Sequence, residues 1–184
     1  MNLPNLITIL RILLTPLLVI FLMQGNFTQA LLVFVAAGIS DGVDGFLARL
    51  LRQKTVLGAY IDPIADKLLI NASHVTLAIL GIMPSWMAVL VVSRDIIIIA
   101  GIGILALNER PLEIKPTFDS KTTTLLQLIC ICFFLAHEHL VAFHHWEPLV
   151  LILAAGFTII SGLRYIAMGL QILGQANGNH ENLP

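Results

Sequence analysis

Residues 41–67 read DGVDGFLARLLRQKTVLGAYIDPIADK and place four carboxylates, Asp41, Asp44, Asp62 and Asp66, in two segments otherwise apolar enough to lie in a bilayer. Ionisable side chains at membrane depth are expensive and mark functional sites, so four of one sign need a compensating partner. A bound divalent cation is the natural candidate. On a helix turning about 100° per residue, Asp41, Asp44, Gly45 and Ala48 share one stripe, and Gly58, Asp62 and Asp66 share another. Two such helices joined by a short basic turn can run antiparallel and face each other, gathering the acids around one cavity. Four carboxylates suffice for two hard cations such as Mg²⁺ or Mn²⁺, which prefer oxygen ligands. Gly45, Ala48 and Gly58 leave room for a flat phosphorylated group, and Arg49 offers a fork suited to phosphate oxygens. Helix packing through small residues accounts for the glycines but not for the acids. Structural ion pairs with Lys67, Arg94 and Arg164 are the competing account of the acids, and Arg94 beside Asp95 fits such pairing. That account does not cover four acids on two aligned stripes.

Working outward, 184 residues with 58% hydrophobic and 11% charged side chains are too apolar for an ordinary soluble domain and too few for several domains. The expectation is an all-α integral membrane bundle forming a single domain over 1–184. A formal net charge of −1 argues against nucleic acid as a partner. Six apolar stretches are long enough to cross about 30 Å of hydrocarbon as helices. They fall near 5–23, 28–52, 57–82, 85–107, 118–135 and 148–173, with QGNF and MPS as short hairpin connections. MNLPNLITILRI lacks the charged start and cleavage site of a signal peptide and reads as a retained first span. Arg52, Lys54, Arg110 and Lys115 fall in alternate connections, while 24–27, 82–85 and 136–147 hold no Lys or Arg. The positive-inside rule then puts both termini, and the opening of the active region, at the cytoplasmic face. Cys130 and Cys132 read as packing residues. His137, His139, His144 and His145 read as a polar interfacial linker rather than a metal site, with Trp146 as an aromatic anchor.

The order Asp41-x2-Asp44-Gly45-x2-Ala48-Arg49-x8-Gly58-x3-Asp62-x3-Asp66 resembles the signature of the CDP-alcohol phosphotransferases at all eight fixed positions within 26 residues. The pattern of Pro4, Asn5, Thr8 and Arg11 and the DPIADK ending at Lys67 extend the likeness. The resemblance implies transfer of a phosphatidyl group from CDP-diacylglycerol to an alcohol, with release of CMP. It implies Asp41, Asp44, Asp62 and Asp66 as ligands of two divalent cations, Mg²⁺ or Mn²⁺, and Asp66 as general base. Gly45, Ala48, Arg49 and Gly58 correspond to cytidine and phosphate contacts, with Asn5 and Thr8 closing the nucleotide pocket from the first span. A homodimer in membrane lipid is implied too, and the sequence fits a bacterial inner membrane.

For the acceptor, Arg94, Lys121 and Arg164 on three later spans favour an anionic, glycerol-based phosphate. SGLRY near the C-terminus resembles phosphatidylglycerophosphate synthases, which use glycerol 3-phosphate. SRDIIII and KPTFDSKTTTLLQ look more like the cardiolipin synthases of the same fold, which use phosphatidylglycerol. The reading from a different class is an ion-coupled transporter using the buried carboxylates. It lacks the repeated half and broken helices such a protein usually has, and it gives Gly45, Ala48 and Arg49 no role. A structural scaffold leaves the acids unexplained.

Overall fold

Each apolar stretch forms one α-helix in the computed structural model: α1 (Leu3–Met23), α2 (Phe27–Leu50), α3 (Val56–Ile79), α4 (Ser85–Leu107), α5 (Phe118–Leu135) and α6 (Glu147–His180). The structure describes the backbone of residues 3–50, 56–107, 118–137 and 145–180, and the side chains of 8–40, 64–101, 120–137 and 145–171. Among the described residues there is no strand. The ends agree with expectation within three residues except at α6, which runs on to His180 rather than stopping near 173. Once a helix is nucleated each further residue adds a hydrogen bond, and Gln171, Gln175 and Ala176 are good helix formers, so the helix outlasts its apolar part.

The two hairpin turns share one device. Gly25, at φ 72°, donates its N–H to the Leu22 carbonyl, and Asn26 donates to Phe21. Gly81, at φ 73°, donates to Ala78, and Ile82 donates to Leu77. This left-handed cap satisfies the last helical carbonyls and suits glycine, which has no Cβ to clash. It ends α3 at Ile79, slightly before the end of its apolar run.

α1 packs extensively against both α2 and α3, α6 against α4 and α5, and α3 against α4. Leu18, Leu22, Phe34, Leu77, Met87, Ile131 and Ala154 sit in the core, with Cys130 buried among them and Cys132 packed against it. The interior also contains Arg11, His74, Arg94, Asp95, Gln127 and Thr158, while Leu13, Ile20, Leu32, Val89, Ile99, Ile152 and Leu163 face outward. Large apolar side chains outside and bonded polar groups inside are what a hydrocarbon solvent selects. Gln127 Nε2 donates to Thr158 Oγ1 at 3.0 Å, Thr123 Oγ1 donates to the Phe157 carbonyl at 3.1 Å, and the two bonds tie α5 to α6. Among the described residues one stretch, Glu147–Gln171, is long and apolar enough by itself to cross a membrane, and Thr8–Met23, Phe27–Ser40 and Ser120–Leu135 are shorter apolar helices.

Candidate active site

The helix containing the first half of the acidic motif, α2, is continuous from Phe27 to Leu50, so Asp41 and Asp44 lie within one turn of each other, followed by Gly45, Ala48 and Arg49. The second half lies on α3, where Gly58, Asp62 and Asp66 follow at one-turn intervals. The side chains of Asn5, Asp41, Asp44, Gly45, Ala48, Arg49, Gly58 and Asp62 lie outside the described residues. Those of Thr8, Asp66, Arg94, Lys121 and Arg164 are described. α1 packs on both motif helices and is their shared neighbour.

Asp66 is 37% exposed, and its Oδ1 accepts a hydrogen bond from Nη1 of Arg11, which is 1% exposed. Thr8 is buried on α1 one turn before Arg11. Thr15, one turn after it, donates its hydroxyl to the Arg11 carbonyl at 3.0 Å. Spaced i, i+3 and i+7, these three residues form a polar stripe along an otherwise apolar helix.

Next to Asp66, Lys67 starts a charged network that runs through four helices. Its ammonium donates to Asp95 Oδ1, which also accepts from Arg94 Nη1 at 2.8 Å, while Asp95 Oδ2 accepts from Asn71 Nδ2 at 3.1 Å. Arg94 Nη2 donates to Ser120 Oγ of α5 and Ser161 Oγ of α6, each at 2.9 Å. Its guanidinium also stands 5.8 Å from the centroid of the Tyr165 ring, within cation–π range. Gly162 lets α6 approach, since a Cβ there would lie 3.6 Å from Arg94 Cγ. Arg94 is therefore buried and bonded to protein groups, whereas Lys121 and Arg164 are exposed. They follow Ser120 and Ser161 by one and three residues, so the Arg94 contacts put all three basic residues at one level of the bundle.

Arg11 is not among the site residues read from the sequence, although a lone cation in an apolar span signals a buried partner. Asp95, Asn71, Ser120 and Ser161 carry no spacing signal. Among the described residues no three His, Cys, Asp or Glu side chains converge, and three of the four motif acids lie outside that set. At the far end of α5, His137 Nδ1 meets Glu147 Oε1 at 2.7 Å and closes the connection to α6. An all-carboxylate donor set at one-turn spacing on two helices that share a neighbour fits hard divalent cations.

The family model for CDP-alcohol phosphatidyltransferases matches residues 1–163. The chain is 35% identical over 151 residues to the cardiolipin synthase (CMP-forming) of Rattus norvegicus, covering 73% of this chain and 50% of that protein. It thus spans about half the length of the rat enzyme, and likewise of the human one. It is 35% identical over 180 residues to a probable phosphatidylglycerophosphate synthase of Mycobacterium tuberculosis, covering 94% and 84% of the two chains. To the CDP-diacylglycerol–glycerol-3-phosphate 3-phosphatidyltransferase of Bacillus subtilis it is 31% identical over 202 residues, covering 96% and 99%. With the acidic signature carried on α2 and α3 and the family match running from α1 into α6, this chain belongs to the CDP-alcohol phosphatidyltransferase family.

Proposed function

We propose that this chain is a phosphatidyltransferase that moves a phosphatidyl group from CDP-diacylglycerol to a glycerol-based phosphate acceptor and releases CMP. The observation that carries this reading is the complete acidic signature on two helices in a chain whose relatives are named for that transfer. Glycerol 3-phosphate and phosphatidylglycerol are the two candidate acceptors, since relatives with both kinds of name match at similar identity.

In the proposed site Asp41, Asp44, Asp62 and Asp66 hold two divalent cations, Mg²⁺ or Mn²⁺. When bound, such cations neutralise charge on the donor pyrophosphate and on departing CMP. Gly45, Ala48, Arg49 and Gly58 bind the cytidine and phosphates, with Asn5 and Thr8 lining the nucleotide side. Lys121 and Arg164, with Arg94 at their level, draw the anionic acceptor toward Asp66. Asp66 takes the proton of the acceptor hydroxyl as its oxygen attacks the phosphatidyl phosphorus. The bond from that phosphorus to the bridging oxygen breaks, and CMP leaves with the oxygen.

The chain acts as one domain of six membrane-spanning helices, with both termini and the site at the cytoplasmic face. The basic connections after α2 and α4 support that orientation. A homodimer in a bacterial inner membrane is the proposed working form. The test is CMP release from CDP-diacylglycerol by protein in detergent with Mg²⁺ or Mn²⁺, with each acceptor in turn. Release is expected with one of them, abolished by EDTA and by Asp66→Asn, with donor binding retained in the variant. Folded protein that releases no CMP with either acceptor would sink the proposal.

A further inference from the structure

We infer that Arg11 is a positioning residue for Asp66, acting from α1 on the carboxylate that receives the acceptor proton. The inference rests on the reading of Asp66 given under Proposed function. Arg11 is among the largest fully buried side chains in the protein, while its neighbours Ile9, Leu10 and Leu13 face outward. A guanidinium stays charged at any ordinary pH, so burying one is tolerated only where a partner meets it. One such partner is Asp66, 55 residues away in sequence and reached through the packing of α1 on α3. Thr15 donates its hydroxyl to the Arg11 carbonyl one turn back, so that its own buried polar group is satisfied within α1.

With a side chain 37% exposed, Asp66 is not fixed by packing alone. A guanidinium held in place by burial restricts its rotation, which a flexible ammonium does less well. Reacting groups displaced by about 1 Å lose on the order of 100-fold in rate, so the contact matters for turnover as well as for joining two helices. Because Asp41, Asp44 and Asp62 still hold the cations in the proposed site, loss of Arg11 falls on the proton-accepting role of Asp66, hence on kcat, and leaves KM for CDP-diacylglycerol nearly unchanged.

The test combines Arg11→Met and Arg11→Lys with Asp66→Glu, whose carboxylate reaches one methylene further toward α1. Arg11→Met is expected to lower kcat about 100-fold, with donor KM within about 3-fold of wild type. Arg11→Lys, shorter but still cationic, is expected to lower kcat about 10-fold in the Asp66 protein and less than about 3-fold in the Asp66→Glu protein, because the longer acid restores reach. Rates are normalised to folded protein measured by size-exclusion chromatography. Arg11 variants whose folded fraction turns over at the wild-type kcat would show a purely structural contact and overturn the inference. Equal losses from Arg11→Lys in both Asp66 backgrounds would overturn it as well, by showing that Arg11 acts independently of that acid. Wild-type protein silent with both acceptors would instead remove the functional reading itself, and the inference with it.

Discussion

Replacing Asp95 with leucine tests whether the buried ion cluster holds α3, α4, α5 and α6 together. Asp95 accepts from Arg94 Nη1 at 2.8 Å, from Lys67, and from Asn71 Nδ2 at 3.1 Å. Leucine keeps the branched outline of aspartate, with methyl groups in place of the oxygens, and leaves two cations without their carboxylate. The Lys67 side chain is 28% exposed and can turn its ammonium toward water. Arg94 has no such escape, being buried and bonded to Ser120 and Ser161. Removing one partner of a buried pair costs about 3–5 kcal/mol. The serine bonds survive, and an unfolded chain in a membrane mimetic finds partners of its own, so the lower end, about 3 kcal/mol, is expected. That lowers the folded-to-unfolded ratio on the order of 100-fold. Unfolding of detergent-solubilised protein by SDS, followed by circular dichroism, measures it. Arg94→Met combined with Asp95→Leu removes the pair together and should recover at least half of the loss, because no buried charge remains unpaired. A loss below about 0.5 kcal/mol for Asp95→Leu, the level of an ordinary surface change, refutes the reasoning. So does a double variant no more stable than the single one.

Gly162→Ala should be accepted, because the added Cβ meets Arg94 Cγ at 3.6 Å, an ordinary contact. Removing a glycine from a helix interior should raise the SDS unfolding midpoint by the equivalent of about 0.5–1 kcal/mol, and a lowered midpoint would show that α6 has no room there. His137→Ala breaks the pair with Glu147, but His137 is 41% exposed. The loss should stay below about 1 kcal/mol, and CMP release should be unchanged because His137 lies at the end of α5 remote from Ser120. A large fall in turnover would connect that end of the bundle to the chemistry.

What could be read from the sequence follows from how far each interaction reaches along the chain. Helix periodicity is local, so the six apolar runs, the QGNF hairpin with Gly25 and the one-turn spacing of the acids were legible, whereas Gly81, read as part of the third span, caps α3 instead. The pairing of Arg11 with Asp66 was not, because it depends on which face of α1 meets α3. Lys67, Arg94 and Asp95 could be suspected of pairing, but a sequence does not say that two cations share one carboxylate oxygen. Ser120 and Ser161 looked like ordinary helix residues until Arg94 was found between them. The apolar span read near 148–173 corresponds to Glu147–Gln171, and α6 continues to His180 because apolarity marks where a helix meets hydrocarbon, whereas hydrogen bonding decides where it stops.

The same network separates the roles of the three basic residues grouped for an anionic acceptor. To meet a phosphate directly, Arg94 must give up contacts to Asp95, Ser120 or Ser161, which are contacts that join α4 to α5 and α6. Lys121 and Arg164 are exposed, so neither has to leave the bundle interior to reach a phosphate. In the proposed reaction Arg94 therefore serves the acceptor chiefly by fixing the level at which its two neighbours are presented. Through Asp95 and Lys67 that level is tied to the residue after Asp66, and through Arg11 Asp66 is tied to α1. Two sets of polar contacts, Arg11 with Asp66 between α1 and α3 and Lys67, Asp95 and Arg94 with Ser120 and Ser161 from α3 to α6, thus meet at adjacent residues of α3, where the proposed reaction has its proton acceptor.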